Sequence, residues 1–299
     1  MNRLLITIAA VSTLALTQIA NAADMPVKAP VAPAPALYSW TGFYAGINGG
    51  YGWSNSKTTL AALDPASAEF INGDLTVGFS PGQFATSFNQ HGWLGGGQLG
   101  YNWQFSRTWV AGLETDFQYA HVSGHASRVA FLVPTVFDTR FPFTTNTERT
   151  LQWFGTLRGR IGYLVTPDLL IYATGGLAYG KTEASASILN TPPTGASNSV
   201  NRNVGGFIFR CAATAPAATV CYAGTGSHTS IGWSAGAGLE YHVWGNLTAK
   251  FEYLHIDLGG QTITLPSPSP PSTPGVAMAY SFDRQGVDIV RAGLNYKFN

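Results

Sequence analysis

From Trp40 onward the chain is built of segments whose side chains change character at every second residue, the period of a β-strand. Eight such segments stand out: 40–53, 92–104, 108–120, 148–165, 168–183, 229–243, 246–258 and 285–298. None carries a convincing helical period. After residue 23 no stretch approaches the ~20 apolar residues that a membrane-crossing helix needs. The chain must therefore fold as sheet, and the question becomes what covers each face.

Splitting the segments gives one greasy and one polar side. In the fourth, Leu151, Trp153, Leu157, Ile161, Tyr163 and Val165 share one face, and Gln152, Thr156, Arg158 and Arg160 the other. In the third, Trp109, Leu113, Phe117 and Tyr119 oppose Glu114, Asp116 and Gln118. In the sixth and seventh, Trp233, Leu239, Tyr241, Phe251 and Tyr253 oppose Ser234, Glu240, His242, Lys250 and Glu252. In the last, Val290, Leu294, Tyr296 and Phe298 oppose Arg291, Asn295 and Lys297.

An apolar face fits a protein core or lipid, and composition and spacing favour lipid. Charged residues are 10 % of the chain, against about 25 % in an ordinary soluble domain. The net charge of +1 lacks the basic excess that nucleic acid requires. A 13 % aromatic content excludes a disordered chain. Aromatics gather toward segment ends, where Trp40, Trp53, Trp93, Trp103, Trp109, Tyr163, Tyr296 and Phe298 read as membrane-interface girdles. The connections are lopsided: 105–107, 166–167 and 244–245 are tiny, whereas 54–91, 121–147, 184–228 and 259–284 hold 38, 27, 45 and 26 residues. Short turns on one side and long loops on the other are the habit of an outer-membrane barrel. In hydrocarbon an unpaired backbone group costs several kcal/mol, so the sheet must close. The expected fold is all-β: an eight-stranded antiparallel up-and-down transmembrane β-barrel over 38–299, with four long external loops.

The start of the chain reads as an address. Residues 1–23 have a basic start, an apolar run and the small-residue pattern of a secretory signal peptide, cut after Ala22 or Ala23. Residues 24–37 are Pro/Ala-rich and read as an extended periplasmic tether.

Inside an eight-stranded barrel there is room for side chains and little else. Glu114, Asp116, Arg158, Arg160, Glu240, Lys250, Glu252, Arg291 and Lys297 are the candidates for an interior charge network. Glu114 and Arg158, on neighbouring strands, are the leading pair. Cys211 and Cys221 lie close together in the longest loop of an exported chain, which suits a disulfide. His121-Val122-Ser123 and His125-Ala126-Ser127 each place a base and a hydroxyl two residues apart, as in barrels that hydrolyse lipid A, but without a fixed acidic partner. Nothing has metal-ligand spacing, and neither a metal nor a cofactor is expected.

The stretches WTGFYAGINGGYGW, GQLGYNWQ, GLETDFQYA, LRGRIGY, YATGGLAYG, GAGLEYHVWGNLTAKFEYLHIDLG and RAGLNYKF together resemble the small eight-stranded outer-membrane β-barrels of Gram-negative bacteria. They are most similar to the porin-family surface antigens of alphaproteobacteria, related in shape to the OmpA transmembrane domain. The resemblance covers 38–299. It implies residence in the outer membrane among lipid and lipopolysaccharide, delivery by the barrel-assembly machinery, and a structural, non-enzymatic role with surface interaction through the loops. A narrow porin-like channel, binding of haemin or a host surface, and a lipid-modifying barrel enzyme are the alternatives. Asn299 after Phe298 departs from the terminal aromatic that such proteins use as an assembly signal.

Overall fold

The computed structural model describes residues 38–62, 77–78, 85–134, 141–190, 201–204, 207–210, 219–266 and 277–298. The signal peptide and tether lie outside the described residues, as do Cys211 and the side chain of Cys221 and hence their expected disulfide. In chain order the strands are β1 (Gly42–Ala62), β2 (Val77–Gly78), β3 (Thr86–Gln104), β4 (Trp109–Pro134), β5 (Phe141–Thr166), β6 (Leu169–Asn190), β7 (Asn201–Val204), β8 (Phe207–Arg210), β9 (Thr219–Trp244), β10 (Leu247–Asp257), β11 (Gln261–Pro266), β12 (Ala277–Phe282) and β13 (Gly286–Lys297). Among the described residues there is no helix.

Eight strands close a ring in the order β1, β3, β4, β5, β6, β9, β10, β13 and back to β1. Closure is made by β1, which pairs β3 from Gly42↔Asn102 to Thr58↔Thr86 and β13 from Tyr44↔Lys297 to Ser54↔Val287. Every pairing is antiparallel. The ring exposes large apolar side chains around its waist, among them Ile47, Leu99, Leu113, Phe117, Leu157 and Ile171. Water would leave such a belt bare, and lipid covers it. On four strands the outward aromatics that bound it are ten positions apart: Phe43 and Trp53, Trp93 and Trp103, Trp109 and Tyr119, Trp153 and Tyr163. At ~3.3 Å per residue and a tilt near 45°, ten residues rise about 23 Å, close to the height of a barrel's apolar band.

Much of what reads as long external loop is strand. The β4–β5 ladder continues to Leu132↔Phe141, and the β6–β9 ladder to Asn190↔Thr219. Two short strands, β11 and β12, pair with each other, and β12 pairs the upper end of β1. The barrel thus stands well above the membrane. Its wall reverses polarity on leaving lipid. Within the membrane, β10 points Lys250 and Glu252 inward and Phe251 and Tyr253 outward; above it, Leu254 and Ile256 are buried inside while His255 and Asp257 face out. The alternation keeps its phase and the chemistry swaps, because the outer solvent changes from hydrocarbon to water.

Two irregularities position the interior. A bulge between Leu151 and Trp153 shifts the β5–β6 register, so Leu151 is fully buried inside the ring rather than sharing the lipid face with Trp153 and Leu157. Higher up, both 258–260 and 283–285 break their strands at the same level. Gly259 bends there with φ +78°, a backbone conformation that glycine adopts without penalty. The break is held from across the barrel by buried Arg149, whose Nη1 donates to the Asp283 carbonyl at 2.9 Å. The Gln285 amide closes it by donating to the Gly259 carbonyl at 2.9 Å.

Candidate functional site

The lumen is the region where this chain concentrates its chemistry, and it is filled in layers. At the end of the short turns, Trp40 is buried against Val110, Leu164, Leu170 and Tyr172. Its indole N–H donates to the Pro167 carbonyl at 3.0 Å, and its amide to Gln104 Oε1 at 3.1 Å. Trp40 is therefore a stopper and not a girdle aromatic. It precedes the first residue of β1, so strand alternation does not govern it, and the lumen mouth offers its ring a dry surface. The other girdle expectations, Trp53, Trp93, Trp103, Trp109, Tyr163, Tyr296 and Phe298, do lie on the exposed outer wall. Beside the stopper, Tyr38 meets Trp40 edge-on at 5.2 Å and stacks on His242 at 3.9 Å. Burial, followed by the nearby Glu240 carboxylate, pushes the Tyr38 phenol up to about 12.

Lys297 also belongs to this mouth. Its ammonium sits 4.6 Å from the centre of the Tyr38 ring and donates to the Ser39 carbonyl. It stands apart from the interior charges because the strand ends here, and its long stem turns to the wet rim.

Above the stopper lies the charge layer. Arg158 donates to Glu114 at 2.6 Å, Asp116 at 2.9 Å and Glu252 at 3.0 Å. Arg291 lies 2.5 Å from Glu252 and 2.8 Å from Asp116. Lys250 contacts Glu114 at 2.9 Å, and Arg160 contacts Glu240 at 2.7 Å. Hydroxyls and amides add to the carboxylates' partners: Tyr44 donates to Glu114 at 2.7 Å, Thr248 to Glu240 at 2.6 Å, and Asn295 to Glu240 at 2.8 Å. Arg158, Arg160, Lys250 and Arg291 face Glu114, Asp116, Glu240 and Glu252, four cations against four anions, and all eight are buried. The Glu114–Arg158 pair joins directly opposed residues of β4 and β5.

A second apolar layer closes the charges from above. It is formed by Leu94, Val122, Leu151, Phe154, Leu254, Ile256, Leu258, Val287 and Ile289, with the small Ala120 and Ala178. Above it, Gln285 donates to Gln90 at 3.1 Å and accepts from Thr182 at 3.0 Å, and inside the extension Ile263, Leu265, Met278 and Phe282 are buried together with Thr58, Thr145 and Thr147. These inward apolar residues are missed by a reading that assigns every greasy side chain to lipid. The available signal is the polarity swap in YLHIDL (253–258) and VDIV (287–290).

The two His-x-Ser pairs fall on the outer wall above the apolar belt. His121 shares a groove of about 590 Å³ with Glu148, Gln152 and Glu183; His125 and Ser127 line one of about 610 Å³. Among the described residues no hydrogen bond links either base to its serine or to an acid. No group of three or more metal-ligating side chains that could hold an ion occurs among them either.

Comparison with known proteins fits this architecture. The profile of the family described as "Outer membrane protein beta-barrel domain" matches residues 27–298. The 31 kDa outer-membrane immunogenic protein of Brucella melitensis is 33 % identical over 288 residues, covering 93 % of each chain. The 22 kDa outer membrane protein of Rhizobium leguminosarum bv. viciae is 26 % identical over 242 residues, covering 81 % of this chain and 74 % of that one. Among solved structures, OprG of Pseudomonas aeruginosa aligns over 86 % of this chain and 97 % of its own, at 12 % identity and a TM-score of 0.40.

Proposed function

This chain belongs to the outer-membrane β-barrel family, and from that premise we propose that it is a closed structural barrel, contributing to envelope integrity from within the membrane and to surface interaction through the part that stands above it. One observation carries the reading: among the described residues a neutral set of eight buried charges lies between two clusters of buried apolar side chains, so side chains fill the lumen. For an ion to cross, the Trp40 layer and the Leu151–Phe154 layer would both have to part, and the ion pairs would have to separate in a medium of low dielectric. A structural barrel needs none of this. The partners on this reading are outer-membrane lipid and lipopolysaccharide around the belt, the assembly machinery that inserts it, and an external ligand or host surface above it.

The test is planar-bilayer conductance of the refolded full chain. The expected record is flat, with rare unresolved noise. Reproducible steady openings that scale with salt concentration would replace the structural reading with a narrow channel for small solutes.

A further inference from the structure

Inside the extension, above the second apolar layer, one buried cation stands without an anion. Arg149 is 2 % exposed and points inward from β5. Its Nη1 and Nη2 donate to two main-chain carbonyls, those of Asp283 at 2.9 Å and Gly259 at 3.5 Å. Its Nε is also buried and has no hydrogen-bond partner among the described residues. Asp283 is an exposed residue that offers Arg149 its carbonyl and no ion pair, and no other carboxylate among the described residues pairs with the guanidinium. The charge layer lower down is arranged otherwise, since each of its four cations meets at least one carboxylate. Holding a buried charge without a counter-charge is costly.

The free polar groups nearest Arg149 are donors. A hydrogen-bond chain runs in one direction at this level: Thr182 Oγ1 donates to Gln285 Oε1 at 3.0 Å, and Gln285 Nε2 donates to Gln90 Oε1 at 3.1 Å. It ends on Gln90 Nε2, which is buried with no acceptor. Each link polarises the next, so the terminal amide is a strengthened donor. The Gln90 side chain leans toward β5: a Cβ on Gly124 of β4 would lie 2.8 Å from Gln90 Cγ, and Gly124 is the residue paired with Arg149. Gln90, Gly124 and Arg149 thus form one inward row across three strands. Thr147, two residues above Arg149 on the same face, is buried with its hydroxyl free. Arg149 has Gly124 and Ala184 as ladder neighbours, and Thr147 has Ala126 and Ala186, so no bulky side chain on the flanking strands covers either. The free acceptor of this level, Gln261 Oε1, lies beyond β6 and β9 on β11, where Gln261 Nε2 donates to the Gly226 carbonyl at 3.0 Å.

We propose that Arg149 Nε, Gln90 Nε2 and the Thr147 hydroxyl hold one small monovalent anion of the halide class, sealed into the barrel as it folds. The ion supplies the missing counter-charge and leaves both carbonyl bonds of Arg149 in place. It thereby fixes the break at 258–260 and 283–285 from which β11 and β12 rise. Water could accept from the same donors, but it would leave the guanidinium charge uncompensated. The level directly below is apolar, with Val122, Leu151 and Leu258 buried, and gives the extra oxygens of a larger oxyanion no donor. The site lies above the second apolar layer, so the proposal stands whether or not the lumen conducts.

The experiment is equilibrium unfolding of the refolded full chain in nonionic micelles, in sodium bromide or sodium gluconate at one ionic strength, gluconate being too large to enter. Once bromide exceeds its dissociation constant, each tenfold rise should lower the unfolding constant about tenfold, and gluconate should leave it unchanged. Gln90→Glu sets a tethered carboxylate beside Arg149. That variant should be as stable in gluconate as the wild-type chain is in bromide, and should ignore bromide. Thr147→Val removes one donor at nearly constant volume and should need about tenfold more bromide for the same effect. Crystals grown in bromide should show its anomalous signal beside Arg149 Nε. Equal stability of the wild-type chain in the two salts overturns the proposal. Full bromide dependence in Gln90→Glu also overturns it, since that would mark a general salt effect, and so does a water molecule where the anomalous signal should stand. If Gln90→Glu lacks the gel mobility shift of a folded barrel, Thr147→Val decides: an unshifted bromide requirement overturns the site.

Discussion

Arg158 holds carboxylates from β4 and β10 at three different oxygens. Its removal leaves Glu114, Asp116 and Glu252 crowded and short of a counter-charge. Arg158→Ala should therefore cost about 3–5 kcal/mol, read as a lower urea midpoint for the chain folded in lipid vesicles. An unchanged midpoint would deny the network any structural role. Trp40→Ala should cost a similar ~3–5 kcal/mol if its ring is as fully packed as its burial indicates, and Trp40→Phe, which keeps an apolar ring without the indole donor, should recover most of it. The inward charges were legible in the sequence because the stretches of strand that carry them keep regular alternation. Trp40 and Lys297 were not, since each lies where a strand begins or ends and the rule lapses. Leu151 was misplaced for a third reason: one extra residue at the bulge reverses every face beyond it, and nothing in QWFG announces it.

Among the strands, β3 and β4 approach so closely at Gly92 that a Cβ there would meet the His121 carbonyl oxygen at 1.8 Å. Backbone cannot yield as a flexible side chain would, so Gly92→Ala should block closure of the ring. The check is loss of the compact, fast-migrating band on an unboiled gel; a variant that folds with wild-type yield would mean the two strands can separate without harm. Strand positions were largely readable, but strand lengths were not. Segments such as 184–190 and 219–228 combine small, hydroxyl-bearing and glycine residues, a composition that also describes a loop. Their outer face meets water, and their inner face mixes the small Ala184 and Ala186 with Ile188 and Tyr222, so bulky apolar side chains are too sparse to mark a lipid-facing strand.

The described barrel is one cylinder in two solvents, greasy outside and charged inside where lipid surrounds it, and polar on its outer wall above. At ~3.3 Å per residue and a tilt near 45°, the ten residues between its aromatic rings rise about 23 Å, several ångströms less than the ~30 Å core of an average bilayer. Hydrophobic mismatch therefore acts as a sorting device: a thick membrane must thin around the belt at a cost for every ångström, whereas a thin one accepts it unstrained. Refolding into vesicles of increasing acyl length should slow and lose yield once the hydrocarbon outgrows the belt, and equal rates across short and long chains would show that thickness does not discriminate. A barrel of this height is at home in the thinnest membrane of the cell envelope and carries its own penalty for being delivered to any other.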